Sequence, residues 1–380
     1  MTTHSTHLAT IDPIPPAGPV PHRLAAPHRM PGRGRLARSQ PLPPARVWKG
    51  LGLTMLIPFV LSAVMGLAYL GAFHQPEPHN LPVAVVGGTP AAAVFAQTLN
   101  DSAYQELDVR TVADADAARA LVASREIVAA YAPGEGGATL FVSSAASETS
   151  ASVAQKVFGP IAYQQHLPLE VVDVVPAGAH DTTGQGQFFL LVALSIGGYA
   201  SAIPIAGAMG RFPMAWRFGL AAAASAVVAA IGVVVAGPVY HVIDTGQWAV
   251  WLFSWLYVAA IVLVGLGLHP LLRQWTTPVL TLCFVALNFT SSGGIFAPEL
   301  QPGLFAGLNA FWNGAAWLHA VQTLVYFPGQ NFGFDALKLA LWLVPGTVLM
   351  LLTHLWSVRR TRLADENAAL LEVEEVVAPS

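Results

Sequence analysis

Residues 50–73 form a run of twenty-four positions without a single Asp, Glu, Lys or Arg. At ~1.5 Å per residue a helix of that length covers the ~30 Å hydrocarbon core of a bilayer with a little to spare. Such a run has few homes in a water-soluble fold. It recurs: comparable apolar stretches lie at about 188–209, 218–240, 248–268, 276–296 and 337–358. Charged residues make up only 10% of the 380-residue chain and apolar ones 54%, against roughly 25% charged in a typical globular chain. These features predict a polytopic α-helical membrane protein with six transmembrane helices.

Charge placement predicts the orientation. If the N-terminal tail, the 210–217 loop, the 269–275 loop and the C-terminus all face the cytoplasm, thirteen of the 18 basic residues lie inside. The others are Arg110, Arg119, Arg125 and Lys156 in the long gap after the first span, and Lys338 at the last one. Both termini are therefore expected to be cytoplasmic, in a multi-pass protein of the cell membrane. The segment 304–327 is also uncharged, but it carries Asn309, Asn313, His319 and Gln322 and is flanked by Pro302 and Pro328. Counting it as a span would carry Arg359, Arg360 and Arg362 outward. An interfacial or re-entrant segment, 297–334, is expected instead.

Residues 1–49 hold ten of the 29 prolines, seven Lys or Arg and one acid, Asp12. With no apolar periodicity this reads as a disordered cytoplasmic tail. A second tail is expected at 359–380.

The gap at 74–186 has the opposite character to the spans. It carries twelve of the 21 acids and four bases, and it alternates short β-branched runs with alanine-rich helical windows. The order is βαβαββαβ: strands near 81–86, 107–112, 127–131, 139–143 and 171–175, with helices near 90–99, 115–124 and 148–164. Asp114 and Ser147 are positioned as helix N-caps. An inserted extracytoplasmic α/β domain between helices 1 and 2 follows.

Several chemistries lack their residues. There is no G-x-x-x-x-G-K-[ST] and no Gly-Lys pair, so any ATP-driven work needs an ATPase on a separate polypeptide. No nucleophile elbow is present, the histidines are scattered, and Cys283 is the single cysteine. No catalytic residue, no bound metal and no cofactor is expected, the protein is not read as an enzyme, and no nucleic-acid partner is expected. The central stretches of the spans contain no ionisable residue, which argues against a proton-coupled carrier. Their few polar residues are Ser195, Tyr199 and Ser201 in the second, and Asn288, Thr290, Ser291 and Ser292 near the outer end of the fifth.

Three passages carry a family resemblance: Asn80 to Val86 after the first span, Ser291-Ser292-Gly293-Gly294-Ile295-Phe296-Ala297-Pro298-Glu299 onward after the fifth, and the aromatic stretch from Asn309 to Tyr326. With the layout of one helix, a large outer domain and five helices, they resemble the type-2 ABC exporter permeases, specifically the phage-infection-protein (Pip) branch. The resemblance implies a permease that moves a hydrophobic or amphipathic substrate outward, forms a homodimer or pairs with a sister permease, and binds a cytoplasmic ATP-binding subunit. It places the ATPase-coupling loop at Arg211, Phe212, Met214, Trp216 and Arg217, as a short helix. Asn288, Ser291, Ser292, Gly293, Gly294, Pro298 and Glu299 then belong to an outer gate or substrate path. The alternative is a non-transporting scaffold or surface receptor whose outer domain binds partners while the helices anchor it in the lipid bilayer.

Overall fold

The computed structural model describes residues 45–208 and 212–377, and the expected N-terminal tail lies almost wholly outside them. The first helix, α1 (Ala45–Phe73), begins five residues earlier than the uncharged run, with no proline between Pro44 and that run to stop it. Contacts divide the chain into a unit ending at Gly52 and a unit running from Leu53 onward.

After α1 come β1 (Leu81–Val86), α2 (Pro90–Ser102), β2 (Leu107–Val112), α3 (Ala115–Ala123), β3 (Ala129–Pro133), β4 (Ala138–Val142), α4 (Ser144–Gln164) and β5 (Leu169–Asp173). The element order is the one read from alternation. The strands form one mixed sheet ordered β2-β1-β3-β4-β5, parallel except for the β3–β4 hairpin. Period-two alternation explains its two cores. Leu81, Val83, Tyr131 and Leu140 face α2 and α4, while Ala84, Ala130 and Phe141 face α3. Thr89 and Asp114 accept hydrogen bonds from the first-turn amides of α2 and α3. In α4 the opening turn is capped by Ser143; the chain then breaks at Ser147 (φ −167°, ψ 109°), whose hydroxyl accepts from Ser150 N and restarts the helix.

Five helical stretches among the described residues are long and apolar enough to cross a membrane: Trp48–Phe73, Gly186–Ala208, Met214–Val239, Gln247–Ser291 and Gly333–Ala368. Large apolar side chains stand exposed along them, including Phe59, Leu67, Ile231, Leu341 and Leu352. An apolar surface this extensive is at odds with water and suited to lipid tails. The chain is a multi-pass helical membrane protein.

The bundle comprises α5 (Gly186–Ala208), α6 (Met214–Val234), α7 (Gln247–Leu272), α8 (Thr276–Thr281), α9 (Asn288–Ser291), α10 (Gly303–Asn309), α11 (Asn313–Tyr326) and α12 (Gly333–Val377). The centre is α7, packed by α5, α6, α11 and α12 and buried along most of its length. Its tryptophans stack in a column, Trp248 on Trp251 on Trp255, and two of them donate indole N–H groups to α6 carbonyls of Ala226 and Ala222. Where α7 crosses α12, a Cβ on Gly346 would stand 2.6 Å from Val264 N, so only glycine permits that approach.

The 45-residue stretch Gln247–Ser291 is not one rod. At Arg273 the backbone leaves helical geometry (φ 50°, ψ −112°) and the chain doubles back, so that Asn288 reaches Tyr257. Two boundaries differ from expectation. The fifth apolar run stops being helical at Ser291 rather than 296, since Ser292-Gly293-Gly294 does not support a helix. Residues 359–377, expected as part of a cytoplasmic tail, continue α12 beyond the apolar run, as a segment free of Gly and Pro and rich in Ala, Leu, Glu and Arg allows.

The uncharged segment 304–327 becomes α10 and α11. Fourteen residues give α11 ~21 Å, short of a crossing. It is no surface helix either: nine of the fourteen are buried, and Trp317 donates to Ser254 Oγ of α7.

Candidate functional site

The passage after α9 is a helix end in apolar surroundings, where every freed carbonyl needs a donor. Side chains supply them. Ser292 Oγ donates to Phe289 O, Gln301 Nε2 to Thr290 O (2.7 Å) and Asn309 Nδ2 to Ser291 O (2.8 Å). Gly293 turns the chain at φ +83°, and a Cβ on Gly294 would meet the Phe188 ring at 2.5 Å. The Ser-Ser-Gly-Gly pattern is thus a stop signal with its own caps.

The same passage is fastened to the α/β domain. Thr149 of α4 donates to Ile295 O (2.8 Å), His79 N to Glu299 O (2.7 Å), and Leu300 is fully buried in the core under α4. A second fastening lies at the turn between α11 and α12. Arg125, in the left-handed conformation (φ 63°) just past α3, stacks over Phe327 at 4.4 Å. Its Nη2 donates to Thr323 Oγ1 (2.6 Å) and Gln330 Oε1 (2.8 Å), and Gln330 Nε2 returns a bond to Ala123 O (2.6 Å). Burial pulls the Arg125 guanidinium down to about 10, against the pull of the Asp335 charge.

Between the two fastenings lies a cavity of about 480 Å³. Its walls combine Arg125, Glu299, His319, Asp335 and Lys338 with apolar side chains such as Leu318 and Phe334. Asp335 is nearly buried; it accepts from His319 Nδ1 and lies 3.7 Å from Lys338 Nζ.

The residues expected in an outer gate separate into three places. Ser292, Gly293, Pro298 and Glu299 line the cavity. Ser291 and Gly294 are structural, the first donating to Leu287 O and the second packed on Phe188. Asn288 lies deep in the bundle, fully buried, donating to Tyr257 Oη (2.6 Å), which is in turn hydrogen-bonded to Ser195 Oγ. Its Oδ1 would collide with any Cβ on Gly314 (2.0 Å), so α9 and α11 meet there as a knob against a bare backbone.

Of the expected coupling loop, Arg211 lies outside the described residues. Met214, Trp216 and Arg217 belong to the first turn of α6 itself rather than to a separate short helix, since Pro213 starts that helix directly. Phe212 and Trp216 are exposed, at 40% and 64%, and Arg217 Nε donates back to Phe212 O (3.0 Å).

Arg125, His319, Asp335 and Tyr257 were not singled out as site residues from the sequence. The available signal was scarcity: in a chain so poor in charge, an acid and a base three apart at the edge of a span mark a special place. Among the described residues no cluster of His, Cys, Asp and Glu could hold a metal. No family model, no curated protein and no solved structure matches the chain.

Proposed function

We propose that the chain is the permease subunit of an ATP-driven exporter of the type-2 ABC class, similar to the phage-infection-protein branch. It crosses the bilayer six times, the hairpin at Arg273 dividing the 45-residue stretch into two crossings. The α/β domain stands outside and both termini inside. It works as a homodimer or beside a sister permease, with ATP bound and hydrolysed by a separate cytoplasmic subunit.

The observation that carries this reading is the exposed Phe212 and Trp216 beside Arg217. Phe212 lies just before α6 and Trp216 in its first turn, on the side that this reading makes cytoplasmic together with Arg273 and the Arg359–Arg362 stretch. Aromatic and arginine side chains of this kind are typical anchors for a protein partner. The polar fastenings at Ile295 and Arg125 would pass movement of the helices to the outer domain, as a rigid-body transition requires.

One observation favours the scaffold reading. The face of α7 toward its neighbours is filled by Tyr257, Trp317 and Phe284, so a single copy offers no polar path there. In the exporter reading the path lies between two copies.

The variants Phe212→Asp and Trp216→Asp separate the two. The exporter reading expects loss of a co-purifying ATPase with unchanged amounts of protein in the membrane. Unaltered association overturns it.

A further inference from the structure

The cavity between the two fastenings holds charges that are not matched to each other. Asp335 is satisfied, because His319 and Lys338 both turn to it. Arg125 has no carboxylate partner: its bonds go to neutral Thr323 and Gln330, its plane rests on Phe327, and its Nη1 is buried without any acceptor. On the wall formed by α4, Ser150 is 1% exposed and its hydroxyl is likewise without a partner. On the wall formed by the turn after α9, the half-buried Glu299 carboxylate makes no ion pair among the described residues.

A partly buried guanidinium with no direct ion pair, its nearest counter-charge Asp335 being held already by His319 and Lys338, an orphaned hydroxyl and an unpaired carboxylate each cost free energy when water is withdrawn. All three line one space. Its volume of about 480 Å³ is that of a small-molecule site. Ile127, Leu318 and Phe334 add apolar surface to the lining, Phe334 with Lys338 Nζ 4.6 Å above its ring. The complement of these walls is a molecule with an anionic group, a cationic group and a modest apolar body.

We propose that this cavity binds a zwitterionic amphiphile of the aminoethyl-phosphate type, its phosphate facing Arg125 and Ser150, its ammonium facing Glu299, and its apolar portion lying against Leu318 and Phe334. The same headgroup could come from a membrane aminophospholipid or from a soluble ester. The inference needs the cavity alone and stands apart from the transport reading, so an absent ATPase leaves it untouched.

The test is calorimetric titration of the full-length chain, purified in mild detergent, with dihexanoyl phosphatidylethanolamine. Dihexanoyl phosphatidylglycerol and uncharged dihexanoylglycerol serve as comparisons, and free phosphoethanolamine as competitor. The ethanolamine lipid is expected to bind saturably and the uncharged one not at all. Arg125→Gln should weaken both phospholipids about tenfold or more, as expected for loss of a charge-assisted hydrogen bond. Glu299→Gln should keep binding but abolish the preference for ethanolamine over glycerol.

Arg125 also fastens the domain, so Arg125→Gln is accepted only with an unchanged elution profile; Glu299→Gln and Ser150→Ala carry the test if it fails to fold. Competition by free phosphoethanolamine would support the site with a soluble ligand, and its absence would support the site with a lipid. Equal binding of the uncharged lipid, or no effect of Glu299→Gln on headgroup preference, would overturn the proposal.

Discussion

The α/β domain and the helical bundle both bury apolar side chains but differ in what they expose and in which polar groups they bury at their centres. In the domain the centre is apolar: Phe158 and Tyr131 stack at 5.1 Å, both fully buried, over a floor of Leu81, Val83 and Leu140. Along the apolar helices Phe59, Ile231 and Leu352 stand exposed, while Asn288, Ser195, Ser254 and Asn313 of the bundle are fully buried. One chain thus follows two solvents. Water drives apolar side chains together in the first region, whereas in lipid the bundle depends on close packing and on mutual satisfaction of polar groups.

The contrast breaks most sharply where a core side chain is removed from the domain. Phe158→Ala should cost about 3–5 kcal/mol, read as a loss of thermal stability in the purified protein. A similarly large effect should come from charge on the outward face of the bundle. Phe59, at 66% exposure, changed to Asp should hinder membrane insertion by about 3 kcal/mol. Tyr104, at 84% exposure in the domain, changed to Asp should shift stability by less than about 0.5 kcal/mol. Equal responses at Phe59 and Tyr104 would mean that both surfaces meet the same solvent.

Smaller effects sharpen the comparison. Removing the α3 cap with Asp114→Ala should cost about 1 kcal/mol, because water is a poor substitute for the lost bond to Ala117 N. Tyr257→Phe, which deletes a fully buried hydroxyl bonded to Asn288 and Ser195, should cost only about 0.6 kcal/mol. Interhelical hydrogen bonds in bilayers are worth that little, since the separated helices also find partners. Ranking the five variants by melting and insertion assays checks the order.

The domain was legible because its signals are local. Alternation placed the strands, alanine-rich windows placed the helices, and Asp114 and Ser147 cap where their spacing puts them. The Ser291 to Pro298 passage stood out by its glycines and prolines, but the helix end at Ser291 was not read from it, and the apolar run was carried on to 296. Its meaning was hidden, because the donors that end the helix, Gln301 and Asn309, lie ten or more residues further on. Arg125 was hidden for the same reason: its partners Thr323 and Gln330 are about 200 residues away. The burial of α11 was equally out of reach, since an uncharged fourteen-residue helix reads alike on a bilayer surface and inside a bundle. The first turn of α6 was assigned to a separate coupling helix on resemblance, whereas Pro213 marked a helix start.

The claim that most needs a decision is that an ATP-hydrolysing partner drives this protein. Tagged protein should be drawn from its native membrane in mild detergent, its companions identified by mass spectrometry, and ATP turnover of the preparation measured. The account predicts a stoichiometric ATP-binding subunit and turnover that depends on it. Repeated recovery of the chain alone, or with envelope proteins only and no turnover, would contradict it.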